Sequence, residues 1–215
     1  TARDLLEYLG YLRTERKNGN SAVNRHLTIL RCFYGGLQAL QFIRPVENPL
    51  EGFPRVKAAP QKLPIFLSKD EVVRLLNAPK GDSVLMIRDR TILRLFYATG
   101  IRATECATLK EEDVDLENKR IRVTGKGGHQ RSVPLNTSAL ALMKLYRQVR
   151  GEIDPKNCFF LSLRRKPMTR GAIYERVRKW SVVVQIEPIS TPFRFRHMCA
   201  THLANAGVGV VHIQN

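Results

Sequence analysis

No stretch of this 215-residue chain approaches the roughly 18 consecutive apolar residues that read as a bilayer crossing, and no basic-then-apolar leader opens it. Neither a membrane span nor a secretory signal is expected. Cysteine is sparse: Cys32, Cys106, Cys158 and Cys199 stand far apart and never as a C-x-x-C pair. That spacing argues against a disulfide framework or a zinc knuckle and for a reducing compartment, so the expected location is cytoplasmic. Internal repeats and low-complexity tracts are missing too. The chain lacks an initiator Met and breaks off at His212-Ile213-Gln214-Asn215, and it reads as a fragment at both ends.

Acid is the other scarcity. Asp and Glu number 19 against 36 Lys and Arg, a net charge of +17. An excess of that size is a statement about partners and not about fold, and the commonest soluble polyanion is nucleic acid. The basic residues run through the whole chain, and no basic amphipathic segment carries a bulky apolar face. A lipid surface is therefore disfavoured.

With 43% hydrophobic residues the chain can bury a sizeable core, and its length allows two compact units. Leu5, Tyr8, Leu9 and Leu12 recur at helical spacing behind Thr1 as a cap, and Val23, Leu27, Leu30, Tyr34 and Leu37 behind Asn20 and Ser21. Residues 1–55 are thus expected to form a small helical unit. Asn48-Pro49 marks a turn, and residues 56–64 form the expected linker, within a Pro54 to Pro64 stretch that has basic residues and no periodicity.

A second unit, 65–215, opens on Ser68-Lys69-Asp70-Glu71, a capping box ahead of Val72, Val73, Leu75 and Leu76. The next helix, Ser83 to Thr99, carries too many apolar residues for a single stripe and should be central and buried. It ends at Gly100, with Arg102 at the mouth of the following turn. After that the period becomes two: Ile121 and Val123 alternate with polar residues, Gly125-Lys126-Gly127-Gly128 turns the chain, and Val133 and Leu135 alternate on the return. Helical spacing returns at Leu140, Met143 and Val149, Cys158 to Leu161 is a strand candidate, and Ile173, Val177 and Trp180 mark another helix. Thr191-Pro192 opens a final helix that stops at Gly207. The expected fold class is mainly α with a small antiparallel β-hairpin.

Arg102, Lys126 and Arg196 share one property: each sits at an edge of regular structure. A phosphodiester held for in-line attack needs guanidinium forks on its non-bridging oxygens and a proton donor for the departing oxygen. Two arginines and a lysine supply those parts. Singly, each has an ordinary reading: Arg102 as an ion-pair partner of Glu105, Lys126 as a solvated turn lysine, Arg196 as a surface charge.

Taken in order, Thr99-Gly100-Ile101-Arg102-Ala103-Thr104-Glu105, Asp113-Val114-Asp115-Leu116, Gly125-Lys126-Gly127 with Arg131 to Leu135, and Phe195-Arg196-His197 with Ala200 to Leu203 resemble the tyrosine recombinase (phage integrase) family. The resemblance covers residues 64–215, and residues 1–55 are similar to that family's core-binding domain. It implies a two-domain, C-shaped clamp on double-stranded DNA, and site-specific strand exchange through a 3′-phosphotyrosyl bond without ATP or metal. By the same resemblance Arg102 and Arg196 clamp the phosphate and Lys126 protonates the leaving 5′-oxygen. A homotetramer on two DNA sites is implied, with accessory DNA-bending or directionality proteins as further partners and a nucleoid-associated location. Alternatives are a non-catalytic DNA-binding relative and a type IB topoisomerase.

The chain departs from the family pattern twice. Phe193 stands where the family has a histidine, three residues before the second arginine, and a phenyl ring can neither take a proton nor donate a hydrogen bond to phosphate. His197 adjoins Arg196, but one helical step turns about 100°, so neither it nor His202 is expected to substitute. The six tyrosines, at 8, 11, 34, 97, 146 and 174, all precede Arg196, whereas the family's nucleophile follows it. As given, the polypeptide is expected to bind DNA without cleaving it.

Overall fold

The computed structural model describes residues 1–57, 67–154, 156–187, 190–205 and 207. The chain divides into two compact units, Thr1–Pro64 and Ile65–Asn215. Most of the expected linker, with Pro60, Lys62 and Pro64, lies outside the described residues, as does the His212 to Asn215 end.

In the first unit, helix α1 (Ala2–Thr14) begins with a reciprocal capping box between Thr1 and Asp4. Helix α2 (Asn20–Ala39) corrects one expectation. Its N-cap is Gly19, which makes no side-chain bond, and Asn20 and Ser21 lie inside the helix. The Asn20 amide is engaged elsewhere, donating to the Lys57 carbonyl at 2.9 Å. Asn24 takes both polar groups of Val56, donating to its carbonyl at 2.8 Å and accepting its N–H at 3.0 Å. Side chains of α2 thus hold residues 56 and 57, the first two positions of the expected linker. Leu5, Leu9, Leu12, Val23, Leu27 and Leu50 make the small core between the helices.

The second unit starts with α3 (Lys69–Leu76), where Ser68 and Glu71 form the expected capping box. Helix α4 (Val84–Thr99) is the buried centre, packed between helices that follow later in the chain: Ile92, Leu93, Leu95 and Phe96 are fully enclosed. Two of its charges, Arg88 and Asp89, are inside as well. Arg88 and Asp89 pair at 2.7 Å, and the second Asp89 oxygen accepts the Trp180 indole N–H at 2.9 Å. This satisfies a buried ion pair whose loss of one partner would cost about 3–5 kcal/mol. The helix ends at Gly100 with φ 60°, a left-handed turn that glycine adopts without a Cβ penalty.

Beyond it lies α5 (Ala103–Thr108), a six-residue helix that the period-two reading of this region overlooks. A three-stranded antiparallel sheet follows, β1 (Val114–Asp115), β2 (Arg120–Thr124) and β3 (Gln130–Pro134), in that order. The β2–β3 hairpin is the expected one, with Ile121 opposite Val133 and Val123 opposite Arg131. Helices α6 (Thr137–Arg150), α7 (Arg170–Val183) and α8 (Pro192–Asn205) complete the unit.

The Cys158 to Leu161 strand does not form. Among the described residues that run makes isolated bridges, Lys110 to Cys158 and Leu161 to Pro167, while Phe159 and Phe160 are sunk in an aromatic cluster with Tyr146. The fold class is mainly helical with one small antiparallel sheet, as expected. No helix among the described residues is long and apolar enough to cross a membrane.

Candidate functional site

Arg102 leaves the Gly100 turn in extended conformation and caps α5. Its backbone N–H donates to Glu105 Oε2 at 2.8 Å and its guanidinium Nη1 to Oε1 at 2.9 Å. The ordinary ion pair weighed for Arg102 is therefore present, yet the Arg102 side chain remains 53% exposed. Glu105 has a second partner. Arg131, on β3, donates through Nη1 at 2.8 Å and Nη2 at 3.0 Å in a bidentate fork. Burial pushes the Glu105 carboxyl up, but the bonds from Arg131 and Arg102 outweigh it and hold the group below the usual carboxylate range.

Arg196 reaches the same place from α8. Thr191 caps that helix, its hydroxyl accepting the Arg194 N–H at 3.4 Å. Phe195 and Met198 face the core, and the Phe195 ring lies 6.2 Å from that of Phe96 on α4. This packing aims Arg196 at the Gly100 turn, where Nη1 donates to the Gly100 carbonyl at 3.0 Å across 96 residues of sequence. Burial lowers the Arg196 guanidinium from its ordinary value, and the neighbouring charges of Arg102 and Arg131 add to the effect.

The approach is close at a second glycine. A Cβ on Gly125 would stand 3.8 Å from Glu105 Oε1 and 3.9 Å from Arg102 Nη1. The backbone immediately before Lys126 therefore runs beside the cluster. The tight turn that follows needs its glycines, with Gly127 at φ 79° and Gly128 at φ 80°. So the fold gathers Arg102, Arg196 and the Lys126 turn around one buried carboxylate, with Arg131 as a third guanidinium. Counting Glu105 against the three arginines leaves two net positive charges, before Lys126 is considered. A cleft of about 350 Å³ opens beside Arg131 and Arg196, lined also by Gly100, Ser132, Cys199 and neighbours. Such an arrangement can hold a tetrahedral anion by charge-assisted hydrogen bonds.

Arg131 was not singled out from the sequence as a site residue. A signal existed: it falls on the Val133 parity of β3, so a cation occupies the inward-facing side of the strand.

His197 and His202 make their contacts away from this cluster. His202 Nδ1 bonds the Tyr97 hydroxyl at 2.9 Å, and His197 is exposed with its ring edge-on to Phe193 at 4.4 Å. Burial raises the Tyr97 phenol, so it keeps its proton at neutral pH. Phe193 is 62% exposed and shares a smaller cleft with Arg102. Among the described residues no group of three or more His, Cys, Asp or Glu side chains could hold a metal ion.

A model of the phage integrase family matches residues 65–215, the whole of the second unit. This chain belongs to the phage integrase family. Relatives within it carry the name tyrosine recombinase. XerD of Pseudomonas aeruginosa is 35% identical over 98% of this chain and 70% of its own length, and XerC of Halalkalibacterium halodurans is 32% identical over 94% and 68%. Among solved structures, XerA recombinase superimposes with a TM-score of 0.65 at 26% identity, covering 100% of this chain and 73% of its own. A lambda integrase dimer bound to a COC′ core site reaches 0.76 at 16% identity, covering 100% of this chain and 77% of its own, a likeness of fold alone. Within the integrase family this chain is therefore a site-specific recombinase of the tyrosine class by resemblance.

Proposed function

We propose that Arg102, Lys126 and Arg196 are the catalytic residues with which this site-specific tyrosine recombinase acts on double-stranded DNA. The observation that carries the reading is the bond from Arg196 to the Gly100 carbonyl, which brings the second arginine to within two residues of the first. Arg102 and Arg196 then grip the non-bridging oxygens of a scissile phosphate and stabilise the charge that builds as a tyrosine attacks phosphorus. Lys126, on the turn beside them, supplies the proton that the leaving 5′-oxygen takes up as its bond to phosphorus breaks. The product is a 3′-phosphotyrosyl bond that conserves the energy of the phosphodiester, so a 5′-hydroxyl on a partner strand can later reverse the step.

In this reading residues 1–55 are a core-binding domain, 56–64 a linker and 65–215 the catalytic domain. The net charge of +17 supports a duplex partner. Exchange between two sites calls for a homotetramer, with accessory DNA-bending or directionality proteins as further partners and the nucleoid as the place of work.

The test uses the full-length protein and a nicked suicide substrate. Arg102→Ala should abolish the covalent adduct while duplex affinity stays within roughly tenfold, since many other phosphate contacts remain. Equal loss of both would make Arg102 a structural residue only. Phe193, in the place of the family's histidine, favours a second reading, a DNA-binding relative that occupies sites without cutting. An unsubstituted protein that binds duplex but forms no adduct, and gains none with Phe193→His, would support it.

A further inference from the structure

Phe193 is the first-turn residue of α8, yet its ring stays out in solvent. Its edge-to-face partner is His197, one helical turn on, and it borders a cleft of about 170 Å³ with Arg102, Thr104, Arg170, Tyr174 and Pro192. Both charged members of that lining are arginines, and no carboxylate is among them. Arg170 lies over the Tyr174 ring at 5.7 Å, so the far wall is itself a guanidinium on an aromatic face. The volume is below the roughly 300–1,000 Å³ of pockets for drug-sized ligands and suits one flat ring system.

A phenyl ring on one side and a guanidinium laid on a tyrosine on the other favour a planar, electron-rich group carried on an anionic backbone. That description fits a nucleobase. The geometry points to a base-stacking subsite, in which the Phe193 ring and the Arg170 guanidinium, backed by Tyr174, receive one unstacked base next to the phosphate held by Arg102. The inference rests on the reading of Arg102 as a phosphate ligand. It gives Phe193 a task that its ring can perform, since it has neither proton nor acceptor to offer the phosphate itself.

An unpaired base costs least to extrude where it is already mismatched. The probe is therefore a pair of duplexes of about 30 base pairs, identical except that one carries 2-aminopurine in a single mismatch, with a third that has an abasic site at that position. This chain should bind the mismatched duplex about tenfold more tightly than the paired one and quench its 2-aminopurine fluorescence. With Phe193→Ala the ratio of the two affinities should fall to about one, and with Phe193→Trp it should be retained. The abasic duplex should lose the preference, which separates a stacked base from a sugar packed on the ring. Phe193 is exposed, so thermal melting of the alanine variant should match the parent. A preference that survives Phe193→Ala, or an abasic duplex bound as well as the mismatched one, would overturn the subsite. Binding to paired duplex with no preference would overturn it alone. Failure of the unsubstituted chain to bind paired duplex would overturn the DNA reading as well.

Discussion

The segments that carry Arg102 and Arg196 are held by unlike forces. Arg102 sits at the N-cap of a six-residue helix and is anchored by a charge, the Glu105 carboxylate, at 2.9 Å. Arg196 rides a 14-residue helix whose apolar face packs on α4, and its own polar bond is to a neutral carbonyl at 3.0 Å. One arginine is placed by electrostatics and the other by packing. The first should answer to pH and salt, and the second to the volume of the core.

The largest effect should come from the packing side. Phe195→Ala removes a fully enclosed ring from the α4–α8 contact and should destabilise the second unit by about 3–5 kcal/mol in urea or thermal unfolding. A loss below about 1 kcal/mol would mean that packing does not place Arg196.

Glu105→Gln attacks the electrostatic side. It leaves two guanidinia on a neutral acceptor and should cost about 1.5–3 kcal/mol at neutral pH. The sign of the pH dependence follows from the lowered carboxyl. Glu105 titrates lower in the folded chain than the roughly 4.3 of an unfolded glutamate, so its contribution is complete above that value and is lost as pH falls through the folded pKa. Acid unfolding of the glutamine variant should therefore be shallower below about pH 4.5. Identical acid limbs would assign that loss to other carboxylates.

The smallest change tests the far end of α8. Tyr97→Phe deletes the hydroxyl that bonds His202 and should cost about 0.5–1.5 kcal/mol. Because this bond ties α8 to α4 independently of charge, the cost should persist at high salt.

Much of the second unit was legible because its signals are local. The Ser68 and Glu71 capping box, the crowded apolar helix ending at Gly100 and the hairpin with its glycine turn each declare themselves within a few residues. Helix α5 was not legible, since six residues show no apolar period and its start depends on Glu105 reaching back to the Arg102 N–H. The Cys158 to Leu161 run misled for the opposite reason: two phenylalanines signal burial, which a strand and an irregular buried segment share. Within the candidate site, Arg102 and Arg196 stood out by motif. That Arg131 converges on Glu105 depends on the register of β3, where Arg131 lies opposite Val123, and register is a property of two strands.

The three-way sharing of Glu105 has a consequence for ligand exchange. Arg131 keeps two bonds to the carboxylate, and the Arg102 N–H keeps a third, whatever the Arg102 guanidinium does. Were that guanidinium to leave for an anion, as the proposed role requires, the buried acid would keep partners on both oxygens and the large cost of an orphaned charge would be avoided. The Arg102 side chain is thus a member whose bond the network does not need to keep the acid paired.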